Sequence, residues 1–353
     1  MKIVVAMSGG VDSSVAAALL AEQGHDVIGV SMQLYDQSEG QASFGTCCTI
    51  DDLYDARRVA AAIGIPHYIV NFENRFTEQV VGNFISEYAA GRTPIPCSHC
   101  NSDLKFSTLL ERALGFGADA LATGHYARID AGPDGAFVLR RGLDMAKDQT
   151  YFLFSLTQDQ LARAAFPVGH LDKAAVRRHA ERLELRVASK PDSQEICFVP
   201  DGDYAKFIET AAPELKRPGP LVNQDGEVVG RHEGVHRYTI GQRKGLGLSS
   251  REPLYVLEIR SPAAEVVVGP RSALERTALT ASSVNWVAGT APEGWKSVAA
   301  QIRHKHAAAA ARVRALDEAC AELEFEEAQS AITPGQAVVF YDGDVCLGGG
   351  WID

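Results

Sequence analysis

Short apolar runs separated by amphipathic stretches organise the first half of the chain. Residues 2–7 read as a buried strand, and the Ala- and Leu-rich stretch Ser13–Glu22 reads as a helix closed by Gly24. Val27–Leu34 is a second strand. Asp51–Ile63 is helical with Gly64 and Pro66 as its stop, and His67–Val70 is a third strand. Phe76–Ala89 and Ser102–Leu114 read as further helices, and Leu121-Ala122-Thr123 ends a strand at Gly124-His125. Apolar strands alternating with helices predict an α/β fold, a Rossmann-like, mostly parallel sheet covered on both faces. Such sheets bind ligands at the carboxyl ends of their strands. The turn at 8–13 and the Gly124-His125 pair both fall at such ends.

From about Gln158 to Leu185 the pattern is helical and basic. Around Gly202 it changes to short alternating segments punctuated by Gly and Pro: Leu221–Asn223, Val228-Val229, Tyr255–Ile259 and Val266–Val268, then Ala299–Ile302, Ala308–Ala315, Ala321–Phe325 and Ala337–Tyr341. The expected organisation is a catalytic domain over 1–205 containing a basic helical segment near 145–190, a small β domain over 206–275, and a β-barrel-like domain over 276–353.

Length and composition refine this picture only slightly. The 353 residues can bury a large core in two or three domains. No secretory pattern and no membrane-length apolar run is present, so no membrane partner is expected. Seven cysteines in a chain this long suit a reducing cytoplasm better than a disulfide scaffold. A net charge of −11 argues weakly against a nucleic-acid partner, yet the basic residues cluster locally. One group is Lys173, Arg177, Arg178, Arg182, Arg186 and Lys190. Another is Arg231, His232, His236, Arg237, Arg243 and Lys244, and a third runs from Arg303 to His306. Each group reads equally well as solvated surface or as an RNA footprint.

The most specific local signal is Ala6-Met7-Ser8-Gly9-Gly10-Val11-Asp12-Ser13, between a strand and a helix. Glycines let a backbone turn tightly and aim N–H groups at an anion, and the following helix adds its positive dipole end. Ser8, Ser13 and Ser14 supply donors, and Asp12 is a candidate Mg²⁺ ligand or donor-positioning group. The spacing is neither a Walker A loop nor Gly-x-Gly-x-x-Gly, which counts against γ-phosphate transfer and dinucleotide binding. It suits cleavage of ATP between its α and β phosphates. Met32, at the end of the second strand, is either an adenine contact or a plain core residue, and a side chain at Gly124 is expected to collide with the nucleotide.

Two cysteine segments lie far apart. Cys100 ends the Pro-braced loop Gly91–Asn101, close to the expected start of a helix whose dipole favours a thiolate, with His99 and Lys105 nearby. Cys97 and Cys100 form a Cys-x-x-Cys pair, open to reading as a redox dithiol or half a metal site. Cys197 has apolar neighbours, Ile196 and Phe198, that suggest a buried thiol, and a polar Lys190–Gln194 approach that suggests an active-site loop.

These segments together resemble the tRNA-specific 2-thiouridylases of the N-type ATP pyrophosphatase superfamily. The resemblance spans essentially the whole chain. Its matching segments are Ala6–Ser13, Gly45–Cys48, Asp55–Arg58, Gly64–Pro66, Gly91–Phe106, Ala122–Arg128, Lys147–Phe152, Ser193–Phe198, Thr239–Leu248 and Pro334–Gln336. It implies that ATP and Mg²⁺ adenylate the C2 oxygen of the wobble uridine, and that a protein persulfide then supplies sulfur. It places the nucleophile on Cys100, the persulfide carrier on Cys197, and ATP contacts on Ala6–Ser13, Met32 and Gly124. It places tRNA contacts on Ile95, Pro96, Cys97, His125, Lys147, Asp148, Gln149, Arg303, His304 and Gln336. The implied partners are tRNAs of the Lys, Glu and Gln type and a persulfide donor, a cysteine desulfurase or a sulfur relay. A Cys100–Cys197 disulfide would close one route for sulfur transfer.

One departure stands out: many members carry Asp where this chain has Cys97 and Asn where it has Ile95. Convergence of Cys97, Cys100 and Cys197 would offer three thiolates to an iron–sulfur cluster. Cys47 and Cys48 match the family with no assigned role. Two rival readings stay open at this point: a pyrophosphatase-class synthetase acting on a small molecule, and a non-catalytic RNA-binding or thiol-redox protein.

Overall fold

The computed structural model describes residues 1–35, 50–132, 135–192, 196–199 and 202–353. Cys47 and Cys48, and Ser193–Glu195 of the Cys197 motif, lie outside the described residues.

The first layer is built from β1 (Lys2–Ala6), α1 (Val11–Glu22), β2 (Asp26–Gln33), α2 (Ile50–Ile63) and β3 (His67–Asn71). Next, α3 (Glu73–Phe76), a π-helical stretch Thr77–Val81 and α4 (Gly82–Ala89) run on without a break. A second continuous run joins α5 (Pro96–His99), the π-helical Cys100–Leu109 and α6 (Leu110–Gly115) before β4 (Ala120–Ala122). After these come β5 (Ala127–Ala131), β6 (Phe137–Arg141), α7 (Gln158–Leu161), β7 (Ala164–Ala165) and α8 (Lys173–Arg182).

The sheet order is β3-β2-β1-β4-β7, and all four pairings are parallel. Both faces are covered. Val4 of β1 belongs to one apolar cluster and Ile3 and Val5 to another, which is why β1 reads as a continuous apolar run rather than an alternating one. Because β2 and β4 flank β1, the carboxyl end of β1 is a topological switch point.

A short helix, α9 (Tyr204–Ala211), leads to a four-stranded sheet of β8 (Gly219–Val222), β9 (Val228–His232), β10 (Tyr255–Arg260) and β11 (Glu265–Gly269), in the order β10-β11-β8-β9. Leu221, Val256, Val266 and Val268 form its own small core. The last unit is a closed barrel of β12 (Glu275–Trp286), β13 (Lys296–Gln301), β14 (Ala309–Ala315), β15 (Ala321–Ser330), β16 (Ala337–Asp342) and β17 (Val345–Ile352), closed by β12 against β17. The alternation is plain in β14, where Ala311 and Val313 face the core while Arg312 and Arg314 face outward.

Two sequence expectations need correction, and one element was not foreseen. Residues 158–185 are not one helix: α7 is a single turn, β7 follows, and α8 starts only at Lys173. Pro167 cannot continue a helix. Gly169 lies where a Cβ would come within 1.7 Å of the Ala127 carbonyl oxygen, so this stretch is pressed against β5. The helix expected from Ser102 begins six residues earlier, because Pro96 occupies its first turn, where a missing N–H costs nothing. The β5–β6 hairpin was not anticipated. It extends the barrel sheet through Val345 opposite Arg140 and Cys346 opposite Leu139, binding the N-terminal domain into the C-terminal one.

Among the described residues no helix is long and apolar enough to cross a membrane.

Candidate active site

The loop after β1 is shaped by two close backbone approaches. Gly9 adopts φ +75°, and a Cβ there would lie 2.2 Å from the Asp52 carbonyl oxygen, so only glycine lets α2 seat against the turn. A Cβ on Gly124 would lie 2.4 Å from the Ser13 nitrogen and 2.6 Å from the Asp12 carbonyl carbon. Gly124 therefore makes room for the loop itself, where the sequence had suggested room for the nucleotide.

Within the turn, the Ser8 N–H donates to Ser13 Oγ at 3.2 Å, and Ser14 Oγ donates to the Gly10 carbonyl at 2.8 Å. Ser8 is exposed and Gly10 and Asp12 are half-buried, so the loop opens outward at these residues, just before and within the first turn of α1. Ala6 is half-buried, whereas Met7 and Val11 are core residues with only backbone to offer a ligand. Met32 is likewise buried in the core.

Asp12 is heavily engaged. Tyr126 Oη donates to its Oδ1 at 2.7 Å, and Lys173 Nζ donates to both its oxygens at 2.7 and 2.9 Å. Lys173 also pairs with Asp192 at 2.7 Å, and Lys147 pairs with the other Asp192 oxygen at 2.7 Å. Burial works against the Asp192 charge, but the Lys147 and Lys173 bonds outweigh it and hold its carboxyl below the usual range. Lys190 reaches the Gly9 carbonyl at 3.0 Å, Asp52 at 2.6 Å and Asp55 at 2.7 Å. Burial opposes its charge too, and the two carboxylates still keep its pKa above the ordinary lysine value.

The basic group at 173–190, open in the sequence to either a solvated face or an RNA footprint, divides in the structure. Lys173 and Lys190 point into the loop site, Arg177 bonds the Ala188 and Lys190 carbonyls, and Arg182 pairs with Glu22; Arg178 and Arg186 remain exposed. Lys173 and Lys190 entered the sequence reading only as members of a basic group, and Tyr126 and Asp192 were given no role of their own.

The Cys100 segment is held from three sides. Pro334 O accepts from the Thr93 N–H at 2.9 Å, and Gln336 Nε2 donates to the Thr93 carbonyl at 2.9 Å. Gly335, at φ +84°, sits so close that a Cβ would lie 2.9 Å from Arg92 Cβ. The central sheet adds Ser261 Oγ bonded to the Ala89 carbonyl. Trp351 of β17 stacks flat on His99, 4.7 Å between ring centres and 2° from parallel, and His99 Nδ1 meets Asp103 at 3.1 Å. Lys105 is bonded to Asn101 Oδ1 at 2.8 Å, and the Asn101 amide holds the Phe152 carbonyl. Of the three loop residues mapped to RNA, Cys97 is exposed, while Ile95 and Pro96 are buried beneath it.

Cys197 is half-buried and accepts a hydrogen bond from Tyr35 Oη at 3.4 Å. The next residue, Phe198, is caged edge-on by Phe76 and Phe84 and tilted against Phe207, which anchors this turn. Cys100 and Cys197 pack against the same apolar cluster. Tyr35 follows β2, the phosphate-type loop follows β1, and Gly124-His125 follow β4, so the site gathers at one edge of the parallel sheet. Among the described residues no group of three or more His, Cys, Asp or Glu side chains is arranged to hold a metal ion, so no step is derived through an iron–sulfur cluster.

Residues mapped to RNA fall into two classes. Arg303 and His304 are exposed on the barrel, and His304 packs on Phe152 at 4.6 Å, so this turn adjoins the 147–152 segment. Asp148 is buried: Arg141 bonds it at 2.8 Å, and Thr150 Oγ1 lies 2.8 and 3.0 Å from its two oxygens. Gln149 accepts from the Tyr126 N–H at 2.9 Å. Both act as internal braces, with Arg141 lying 3.5 Å over the Tyr341 ring and joining β6 to the barrel. His125 bonds Thr123 Oγ1 at 2.7 Å; burial first, and the nearby Lys105 charge second, hold its ring well below the usual histidine range, so it is neutral near pH 7.

Comparison with known proteins adds an independent line. A family profile described as "tRNA methyl transferase HUP domain" matches residues 1–201, one described as "tRNA methyl transferase PRC-barrel domain" matches 205–270, and one described as "Aminomethyltransferase beta-barrel domain" matches 276–352. The chain is 52% identical over 356 aligned positions to the tRNA-specific 2-thiouridylase MnmA of Geotalea uraniireducens, covering 100% of this chain and 95% of that one. It is 53% identical to the protein of the same name from Geobacter metallireducens, covering 100% and 96%. A solved 4-thiouridine synthetase–RNA complex with bound ATP aligns with 60% of this chain and 50% of that one at 14% identity and TM-score 0.35, too distant a likeness to carry an argument.

Proposed function

The chain belongs to the tRNA-specific 2-thiouridylase family, and from that premise we propose that the 8–13 loop, Cys100 and Cys197 work as one active site. The protein is a tRNA-uridine 2-sulfurtransferase: ATP adenylates the C2 oxygen of the wobble uridine, and a protein persulfide sulfur replaces it, giving 2-thiouridine, AMP and pyrophosphate. The domain profiles speak of methyl transfer, but a Ser-Gly-Gly-Val-Asp-Ser turn between strand and helix suits an anion-cradling ATP loop. The observation that carries the active-site reading is the shared edge. The loop after β1, the Tyr35–Cys197 contact after β2 and Gly124 after β4 all lie at the carboxyl ends of neighbouring parallel strands.

The chemistry follows from this placement. The uridine C2 oxygen is a poor leaving group until it carries AMP. It attacks the α-phosphorus, pyrophosphate departs, and the Ser8–Ser13 backbone donors stabilise the charge that develops on the phosphates. Mg²⁺ brought in on the phosphates would screen this charge, and Asp12, half-buried in the loop and held by Lys173 and Tyr126, would be the carboxylate to meet it, since Mg²⁺ is commonly held by one or two carboxylates plus substrate phosphates and water. The persulfide on Cys197 then attacks C2 and AMP leaves. The Cys100 thiolate attacks Cys197 Sγ, the S–S bond breaks to leave the outer sulfur on C2 as the thiolated base, and a Cys100–Cys197 disulfide forms that an external thiol must reduce. In the alternative order Cys100 first displaces hydrosulfide from the persulfide, and hydrosulfide attacks C2. The persulfide comes from a donor protein of the desulfurase or sulfur-relay type. The target base must leave the anticodon-loop stack, which single-stranded loops permit cheaply. Arg303, His304 and the exposed Cys97 line the RNA side, and neutral His125 suits base contact better than phosphate pairing.

The deciding experiment mixes purified protein with unmodified wobble-uridine tRNA, ATP, Mg²⁺ and a persulfide source, and measures 2-thiouridine and AMP by mass spectrometry. Equal amounts of both are expected. Pyrophosphate release with a metabolite and no tRNA would instead identify a small-molecule synthetase.

The barrel's grip on the Cys100 segment gives a separate prediction. Trp351→Ala removes the flat stack on His99, and misplacing a reactive group by a fraction of an ångström typically costs about tenfold or more in turnover. Thiolation kcat should fall by roughly that factor, with the ATP dissociation constant unchanged. A variant with wild-type kcat would deny Trp351 a positioning role.

A further inference from the structure

Three cations converge on one carboxylate beside the ATP loop. Lys147 Nζ and Lys173 Nζ each lie 2.7 Å from Asp192, and the Arg177 guanidinium lies 3.4 Å away. They come from two places in the chain: Lys147 from the segment after β6, Lys173 and Arg177 from successive turns of one face of α8. Lys173 at the same time holds Asp12, the carboxylate of the loop itself, so the cluster is continuous with the loop mouth. Two ammonium groups and a guanidinium around one anion are the donor set that proteins use to hold phosphate. Lys173 divides itself between Asp192 and Asp12, Arg177 also bonds the Ala188 and Lys190 carbonyls, and these side chains remain between an eighth and a third exposed, within reach of solvent and ligand.

We propose that this cluster is the pyrophosphate seat of the reaction, in which the β- and γ-phosphates of ATP take the place of the Asp192 carboxylate among Lys147, Lys173 and Arg177. The inference rests on the reading that the chain cleaves ATP to AMP and pyrophosphate. Asp192 is then an internal competitor. It satisfies the three cations when no nucleotide is present and lowers the apparent affinity for phosphate by the fraction of time it occupies the seat. Phosphates that also draw Lys173 away from Asp12 would leave Asp12 Oδ2 open to a phosphate-borne cation, while Tyr126 keeps its bond to Oδ1. Lys147 thereby acquires a role towards ATP in addition to any contact with RNA.

The two signs of charge predict opposite outcomes. Calorimetric titration of the full chain with Mg²⁺-pyrophosphate, Mg²⁺-ATP and AMP, without tRNA, reads them. Asp192→Asn should tighten pyrophosphate binding about tenfold, and Lys173→Met and Lys147→Met should each weaken it by roughly ten- to a hundredfold. ATP should follow the same order, and AMP affinity should stay at the wild-type value. Asp192→Asn settles the matter should a lysine variant fail to fold. Weaker or unchanged pyrophosphate binding in Asp192→Asn overturns the proposal, as does an equal change for AMP. Wild-type protein that binds neither ATP nor pyrophosphate would overturn the ATP-cleaving reading and this inference with it. Wild-type protein that binds both, with every variant unchanged, overturns this inference alone.

Discussion

Cys100→Ser and Cys197→Ser should each abolish 2-thiouridine formation, by at least ~10³-fold under a persulfide donor, while ATP and tRNA binding stay close to wild type. A serine hydroxyl is not ionised near neutral pH and cannot carry a persulfide sulfur, so neither role survives the exchange. The volume change is small, and both side chains sit at the edge of the apolar cluster rather than within it, which keeps the fold intact. The Tyr35 hydroxyl that reaches Cys197 Sγ and the Phe198 cage behind it do not depend on sulfur chemistry. The two cysteines separate in a second measurement. With sulfide supplied directly and one turnover allowed, Cys197→Ser regains activity if that residue only delivers sulfur, and stays inactive if its persulfide must attack C2 itself. Wild-type thiolation by either variant with the protein donor would remove that cysteine from the mechanism.

The strand, turn and helix that carry residues 8–13 were legible in the sequence because everything they need is contiguous: an apolar strand, two glycines, hydroxyls and a helix start within 12 residues. The barrel strands were legible because one face is core and one is water, which prints an alternation on residues such as 311–314. That Cys100 and Cys197 pack on one apolar cluster was not legible from spacing, which does not reveal which distant segments meet, and only the family resemblance suggested pairing them. The direction of Lys173 and Lys190 was not legible because a charge count does not say which way a side chain points. Both lie in a basic stretch, yet both turn inward to Asp12, Asp52 and Asp55. The β5–β6 hairpin was missed because its strands are short and their barrel partner, β17, lies some 200 residues on. The Asp134-Gly135 pair between two alternating segments was a hairpin signal that went unused. Asp148 shows a further limit: a motif match assigns it to RNA, while its buried carboxylate is already used by Arg141 and Thr150.

Gly124→Ala should damage the ATP site and the fold together. The added methyl would stand 2.4 Å from the Ser13 nitrogen and 2.8 Å from its Cα, and these are backbone atoms that cannot rotate away. Either the end of β4 retreats from β1, or the 8–13 loop tilts. Overpacking of this kind costs about 1–3 kcal/mol and lowers the melting temperature. A tilt also misdirects N–H groups that must meet phosphate oxygens at hydrogen-bond distance, so ATP affinity should fall at least ~10-fold. Gly115→Ala is the control. A Cβ there meets nothing within 4 Å, and the residue ends α6 without a positive φ, so stability should hold or rise slightly. The paired readout separates two explanations of the same glycine. If residue 124 only spares a collision with bound nucleotide, alanine weakens ATP binding and leaves the melting temperature of the nucleotide-free protein untouched. If it spares a collision with the loop, both fall, and they fall before any nucleotide is added. The 2.4 Å approach to Ser13 places the clash inside the protein, so the second outcome is the expected one.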